Sequence, residues 1–231
     1  MKHYQHLLFD LDHTLWDFKR SSTETLCELY RTYQLATLGD FSTEQFCDAF
    51  EEVNLQLWTL YNQGEYDQQR LRNERFGLVL SRLGIAADLV PAGLPEEYLR
   101  ICPTKPHVMP YAMATLDYLR QHYQLHILTN GFTEVQAIKL KSAGLTDYFA
   151  EVVASDTTGH RKPQRPIFDY ILSQIEATPL QCLMIGDSLA ADVVGAREAG
   201  IDQVFYNPEG VAHDEDITYE VSCLSELRTI L

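Results

Sequence analysis

Three short apolar runs, each broken off at a polar residue, limit what this chain can fold into more than any other feature. His6-Leu7-Leu8-Phe9 stops at Asp10, Leu125-His126-Ile127-Leu128 at Thr129-Asn130-Gly131, and Cys182-Leu183-Met184-Ile185 at Gly186-Asp187. Such runs, with little polar alternation, suit strands covered on both faces, as in a parallel sheet. Weaker runs occupy 152–155 and 203–206, and helical patterns over 110–122, 133–143, 165–175 and 189–199 separate most of them. In the first helix Tyr111, Thr115, Leu116 and Leu119 are expected to face the sheet. Gly144 and Gly200 stand where a left-handed residue would stop a helix. An edge strand over 217–221 and a helix over 224–231 close the pattern. Strands alternating with helices predict an α/β fold, a Rossmann-like parallel sheet with helices on both faces.

Residues 18–105 break that rhythm. They carry three long helical patterns, near 21–36, 43–62 and 67–83, with Leu26, Leu29, Tyr30 and Tyr33 recurring at helical spacing. Pro91, Pro95, Pro103 and Pro106 punctuate the return to the alternating pattern. The expected organisation is a core made of 1–17 and 106–231, with an α-helical cap inserted at 18–105.

Eighteen basic against 33 acidic residues give a formal net charge of -15. A body of that charge repels nucleic-acid backbones and anionic membranes, so neither is expected as a partner. It still admits a small phosphorylated metabolite to a locally positive pocket. The cysteines (Cys27, Cys47, Cys102, Cys182 and Cys223) are odd in number and widely spaced, which reads as reduced thiols rather than a disulfide framework. Acidic residues interrupt the N-terminus too early for a signal peptide, and no stretch approaches the roughly 18 apolar residues of a membrane span. A cytoplasmic protein is therefore expected. A homodimer through cap surfaces stays open, since no interface is legible.

Ligands of open α/β sheets bind beyond the carboxyl ends of the strands. That rule gathers Asp10 and Asp12, Thr129 and Asn130, and Asp187 in one crevice, with Lys162 within reach from the segment after 152–155. Carboxylates, a hydroxyl and an ammonium around one opening suit a divalent cation and a phosphoryl group. Asp10 is the candidate nucleophile and Asp12 the candidate general acid and base. Thr129 offers a hydroxyl, and the backbone N–H groups of Asn130 and Gly131 are candidate holders of a phosphoryl oxygen. Lys162, followed by Pro163, would neutralise charge beside Asp10. Asp10, the backbone carbonyl of Asp12, and Asp187 are candidate magnesium ligands. Asp192 is a candidate partner behind the metal or an anchor for Lys162, and Ser188 a helix cap. Taken singly, each stretch also has an ordinary reading as a cap, a turn or a surface charge.

In this order the four segments resemble the haloacid dehalogenase superfamily. Its pattern is an aspartate pair one residue apart, a strand-end Thr or Ser, a later Lys, and a Gly-Asp segment. The resemblance covers 4–16 and 105–210 and implies a magnesium-dependent phosphatase working through an aspartyl phosphate. Asp12 argues against the dehalogenating members, which generally lack its counterpart, while the phosphomutase branch keeps both aspartates. Thr14-Leu15-Trp16-Asp17-Phe18, Thr129-Asn130-Gly131-Phe132-Thr133-Glu134 and Gly186-Asp187-Ser188-Leu189-Ala190-Ala191-Asp192 resemble a bacterial branch of pyrimidine 5′-nucleotidases with a helical cap. Ala154-Ser155-Asp156-Thr157-Thr158 departs from the acidic Ser-Glu segment of that branch. The implied substrates are pyrimidine nucleoside monophosphates, with sugar phosphates or another small phosphomonoester as the alternative. A phosphoacceptor regulator or a catalytically silent binding protein accounts for fewer positions. Phe18, Trp58 and Tyr61 are candidates to stack on a base.

Overall fold

A computed structural model describes residues 4–231. The chain divides into two compact units, one running to Phe18 and resuming at Pro106, the other comprising Lys19–Lys105.

The first unit is built on a six-stranded sheet: β1 (His6–Phe9), β2 (Gln124–Thr129), β3 (Glu151–Ala154), β4 (Cys182–Gly186), β5 (Asp202–Tyr206) and β6 (Tyr219–Val221). The strands lie in the order β3-β2-β1-β4-β5-β6, and every pairing is parallel. β1 is central, and all four of its residues are buried, as are all five of β4. That double coverage explains why these strands lack polar alternation. Phe9 pairs in register with Ile127 and Ile185, so the chain segments that follow β1, β2 and β4 leave the sheet side by side. A parallel α/β fold with an inserted helical unit is thus the observed architecture.

In the second unit α1 (Phe18–Thr32, whose first residue still belongs to the sheet unit), α2 (Thr43–Gln63), α3 (Gln68–Arg82) and α4 (Leu94–Ile101) pack around Phe46, Phe50, Phe76 and Tyr98. Ser42 and Gln45 form a reciprocal capping box at the start of α2, which ends on the left-handed Gly64. Leu26 and Leu29 are buried as their spacing predicts. α4 is an addition to the sequence reading, which treats the prolines here as breaks. Pro95 falls at the start of the helix, where its missing N–H has no helical partner to lose.

The remaining helices belong to the sheet unit: α5 (Ala112–Leu119), α6 (Thr133–Ser142), the four-residue α7 (Ser155–Thr158), α8 (Arg165–Gln174), α9 (Gly195–Glu198) and α10 (Leu227–Ile230). Two expectations need correction. Tyr111 does not face the sheet. It is left-handed, 59% exposed and precedes α5, whereas Thr115, Leu116 and Leu119 are buried. The helix expected over 189–199 begins instead as a π-turn, Leu189–Val194, before α9. Both Asp192 and Val193 donate backbone N–H bonds to the Ser188 carbonyl, at 2.9 and 3.3 Å, which widens the turn.

Two histidines meet inside the sheet unit. His6 Nδ1 and His126 Nε2 lie 3.1 Å apart, both buried, and His126 Nδ1 has no partner among the described residues. Burial, then the neighbouring His6, pushes His126 down to about 4, and burial also lowers His6. Because the folded value of His126 lies below its ordinary value of 6.5, the unfolded chain takes up the proton first as the pH falls. Stability is therefore retained above about 6.5 and lost between there and about 4. Between pH 7.5 and 5, the unfolding free energy of the wild type should drop by about 1–2 kcal/mol more than that of His126→Leu. Equal pH slopes in urea titrations of the two proteins would refute this.

Candidate active site

Asp10 follows the last residue of β1, and its backbone N–H donates to the Ile185 carbonyl of β4 at 2.9 Å. Its carboxylate points inward, 8% exposed, and accepts from Lys162 Nζ at 2.7 Å. Lys162 is nearly sealed from solvent at 1% and also donates to Asp192 Oδ1 at 2.6 Å and to the Leu128 carbonyl at 2.6 Å. One ammonium is thus fully coordinated by two carboxylates and a strand-end carbonyl. Burial alone would lower the Lys162 pKa, but attraction from Asp10 and Asp192 outweighs it and raises the value above the ordinary one.

Lys162 reaches this place because Asn130 holds its backbone. The Asn130 amide donates to the Lys162 carbonyl at 2.8 Å and accepts from the Lys162 N–H at 2.7 Å, beside the cis Lys162-Pro163 bond. The side chain of Asn130 is therefore committed to positioning the lysine. Thr129 is buried at the end of β2, and its Oγ1 accepts from the Gly131 N–H at 3.1 Å and from Gln136 Nε2 at 3.2 Å. The Thr129 hydroxyl proton is left to donate elsewhere, whereas the Gly131 N–H, read from the sequence as a phosphate donor, is engaged by Thr129.

Asp187 continues from β4. Its Oδ1 accepts from Thr14 Oγ1 at 2.9 Å, and its backbone N–H donates back to Thr14 at 3.1 Å. Asp192 Oδ2 accepts from the Ser188 N–H at 3.0 Å, while Ser188 Oγ caps the π-turn through the Ala191 N–H. Oxygens of Asp10, Asp187 and Asp192 all lie within 4.8 Å of one another. Burial, followed by the charge of Asp192, pushes Asp187 up to about 6. Burial also raises Asp10 well above its ordinary value, against the pull of Lys162. Three carboxylates facing one ammonium leave an excess of negative charge in a dry place, and a hard divalent cation ligated by oxygen fits that donor set.

The Asp12 carboxylate goes elsewhere. Left-handed His13 turns the chain after it, and Asp12 accepts from Lys139 Nζ at 2.6 and 2.7 Å and from Gln136 Nε2 at 3.0 Å. Burial acts to raise the Asp12 pKa, but Lys139 and then Gln136 more than reverse it, leaving the carboxyl below its ordinary value. Of the acidic residues read as metal ligands, Asp10 and Asp187 are brought together by their side chains. Asp192 joins them, and Asp12 retains only its backbone for that purpose.

Lys139 and Gln136 escaped the sequence reading, and so did Thr14. The signal available was α6, where Gln136, Lys139 and Leu140 form the buried face although two of them are polar. Buried polar residues at helical spacing just after a strand-end Thr-Asn-Gly point to a site rather than a core. Lys139 Nζ also lies 4.7 Å from the Trp16 ring centroid and 5.9 Å from that of Phe18. Phe18 therefore stands at the rim of the Asp12 pair. Trp58 and Tyr61 belong to the helical unit, where their rings meet edge to face at 5.4 Å with Tyr61 buried and Trp58 partly exposed.

Close approach of backbone and carboxylate explains one glycine. A Cβ at Gly186 would fall 2.1 Å from Asp192 Oδ2. Gly186→Ala is expected to push Asp192 off Lys162 and cost about 1–3 kcal/mol. The measurement is urea unfolding with and without magnesium. A variant as stable as wild type that keeps its magnesium response would contradict the packing described.

The parallel sheet, the helical insertion after its first strand, and the strand-end carboxylates with their lysine define a hydrolase core of one kind. The chain belongs to the haloacid dehalogenase-like hydrolases, whose family pattern matches residues 4–200. It is similar to YfnB of Bacillus subtilis, a protein named only as a HAD-hydrolase, with 31% identity over 100% of this chain and 97% of YfnB. A crystal structure of YfnB bound to magnesium superposes with a TM-score of 0.87 at 29% identity, covering 99% of each chain. It is also similar to two pyrimidine 5′-nucleotidases. YjjG of Escherichia coli is 32% identical over 97% of this chain and 96% of its own length. PynA of Streptococcus pneumoniae is 32% identical over 97% of this chain and 93% of its own length.

Proposed function

We propose that this hydrolase is a magnesium-dependent phosphomonoesterase that acts on pyrimidine 5′-nucleoside monophosphates. The observation that carries the phosphatase reading is the separation of two acidic centres. Asp10 and Asp192 are bridged by Lys162 with Asp187 oxygens within 4.8 Å of both, while Asp12 is held apart by Lys139. Asp10, Asp187 and the Asp12 carbonyl would hold the magnesium ion, with Asp192 as a further oxygen donor or the anchor of Lys162. When bound, the ion supplies positive charge that offsets the carboxylates and the phosphate oxygens.

An oxygen of Asp10 attacks phosphorus, and the ester P–O bond breaks with its electron pair going to the leaving oxygen. Asp12 gives that oxygen a proton. In the second half Asp12 takes a proton from water, whose oxygen displaces Asp10 from phosphorus and releases inorganic phosphate. Lys139 keeps Asp12 anionic in the free site, as the second half requires. The negative phosphate ester entering beside it acts in the opposite sense and favours the protonated acid needed first. Lys162 restrains Asp10 and shares its charge throughout, and the Thr129 hydroxyl is a donor for a phosphoryl oxygen.

The nucleotide assignment is supported by the likeness to YjjG and PynA over nearly the whole chain. Phe18, Trp58 and Tyr61 supply flat faces suited to a base. Phosphate release in excess magnesium, across pyrimidine and purine 5′-nucleotides and sugar phosphates, tests it. The expected result is a kcat/KM at least about tenfold higher for deoxyuridine or thymidine monophosphate, the discrimination expected of roughly 1.4 kcal/mol. A sugar phosphate as the best substrate would overturn the nucleotide assignment and leave the core chemistry standing.

A further inference from the structure

Gln136 on α6 is a polar residue in a buried position, 1% exposed, and one side-chain nitrogen binds two groups of the site. Nε2 donates to Asp12 Oδ2 at 3.0 Å and to Thr129 Oγ1 at 3.2 Å. The reverse orientation of the amide would set its oxygen against the Asp12 carboxylate, which only accepts, so Asp12 dictates where the nitrogen points. Oε1 is buried and meets no donor among the described residues, a cost that core packing alone does not explain. The chain also clears space for this amide, since a Cβ at Gly131 would collide with Nε2. Lys139 Nζ reaches both Asp12 oxygens, at 2.6 and 2.7 Å, and as a point charge it does not tell them apart. Gln136 does. Among the described residues Oδ2 accepts from Lys139 and Gln136 but Oδ1 from Lys139 alone, so Oδ1 keeps a lone pair for a proton. Thr129 Oγ1 accepts from Gln136 and from the Gly131 N–H at 3.1 Å, which fills its two acceptor sites and leaves its proton.

We propose that Gln136 is a positioning residue that orients two reacting groups through one amide, presenting Asp12 Oδ1 as the oxygen that carries the proton and Thr129 as a hydroxyl that can only donate. Gln136 is too deeply buried to touch substrate, whereas the Asp12 side chain is 25% exposed. In the first half of the reaction the proton passes from Oδ1 to the leaving oxygen, and in the second from water to Oδ1. Without the amide the two Asp12 oxygens become equivalent and the proton loses its direction. The Thr129 hydroxyl, with a lone pair released, is no longer bound to face a phosphoryl oxygen. A misdirected acid is felt only where the leaving oxygen needs a proton. The inference rests on the phosphatase reading above but not on the nucleotide assignment.

The test compares two esters of similar shape, in excess magnesium, on the wild type and on Gln136→Met, which keeps the length of the side chain and removes its donors. Phenyl phosphate releases a basic oxygen that gains much from a proton, and p-nitrophenyl phosphate a stabilised anion that gains little. Their kcat/KM values report steps only as far as phosphorylation of Asp10, where Asp12 acts as the acid. In Gln136→Met the value should fall about 10²-fold for phenyl phosphate and less than about tenfold for p-nitrophenyl phosphate. The ratio of the two does not depend on how much enzyme is folded, so a less stable variant gives the same answer. Inhibition by inorganic phosphate reads the second arm. Thr129→Val should weaken it about tenfold in the wild type and less than about threefold in Gln136→Met. Equal losses for the two esters, or an undiminished effect of Thr129→Val, would overturn the inference while the phosphatase reading stands. Failure of that reading looks different: the wild type would hydrolyse neither ester, and the inference would fall with it.

Discussion

Asp10→Asn is expected to lower kcat by at least about 10⁴-fold, because the amide cannot carry the phosphoryl group and loss of a nucleophile removes most of the chemical acceleration. The same substitution should not unfold the protein. Asp10 is buried among Asp187 and Asp192, and burial raises its pKa well above the ordinary 3.8. A folded value above the unfolded one means that the charged form opposes folding at neutral pH, with the penalty fading as the pH falls toward the unfolded value. An asparagine retains an oxygen for Lys162 Nζ without that charge. Stability in EDTA should therefore equal or exceed that of the wild type. Phosphate-release kinetics together with thermal melts check both halves. Residual turnover near the wild-type level would end the assignment of Asp10 as nucleophile, whatever the melts show.

Lys162→Met should have the opposite balance, costing stability as well as activity. Lys162 Nζ serves Asp10, Asp192 and the Leu128 carbonyl together, all at 2.7 Å or less, and the residue is 1% exposed. Removing it strands two buried carboxylates and a carbonyl, and breaking a buried pair in this way typically costs about 3–5 kcal/mol. Magnesium would replace part of the missing positive charge, so the loss should be greatest in EDTA and smaller with the ion in excess. Urea unfolding under the two conditions separates these effects. A variant as stable as wild type in EDTA would show that the ammonium does not balance this cluster. The contrast with Asp10→Asn follows from net charge: one substitution removes a surplus anion, the other the cation that several groups share.

The activity of either variant bears on the chemistry but not on what lies beyond the phosphate. Under the function proposed above, the choice of substrate would rest on residues other than Asp10 and Lys162. The family alone leaves that choice open, since an unchanged strand-end cluster can serve many phosphate esters.

Much of this architecture was legible in the chain because parallel strands impose a strong local pattern. Four-residue apolar runs ending at Asp10, Thr129 and Asp187 identify strands buried on both faces, and parallel strands send those ends to one edge of the sheet. Lys162 was legible as a candidate because it follows the run at 152–155, and the helical insertion because 18–105 lacks strands altogether. The errors lie where a local pattern has two tertiary outcomes. Tyr111 shares a helical face with Thr115 on paper, but the helix begins after it. Pro95 looks like a break and instead opens α4.

By itself, then, the sequence determined the sheet, the insertion and the set of residues crowding the strand ends, since these follow from short-range periodicity and the geometry of parallel strands. Only the tertiary structure decided which carboxylate serves which cation. Asp12 turns to Lys139 because left-handed His13 redirects the chain and α6 presents a buried lysine. Asp192 enters the cluster because a π-turn, four residues after a capping serine, aims it at Lys162. Side-chain direction at such turns is set by partners far away in the chain, 127 residues in one case and 30 in the other, and no local pattern carries that information.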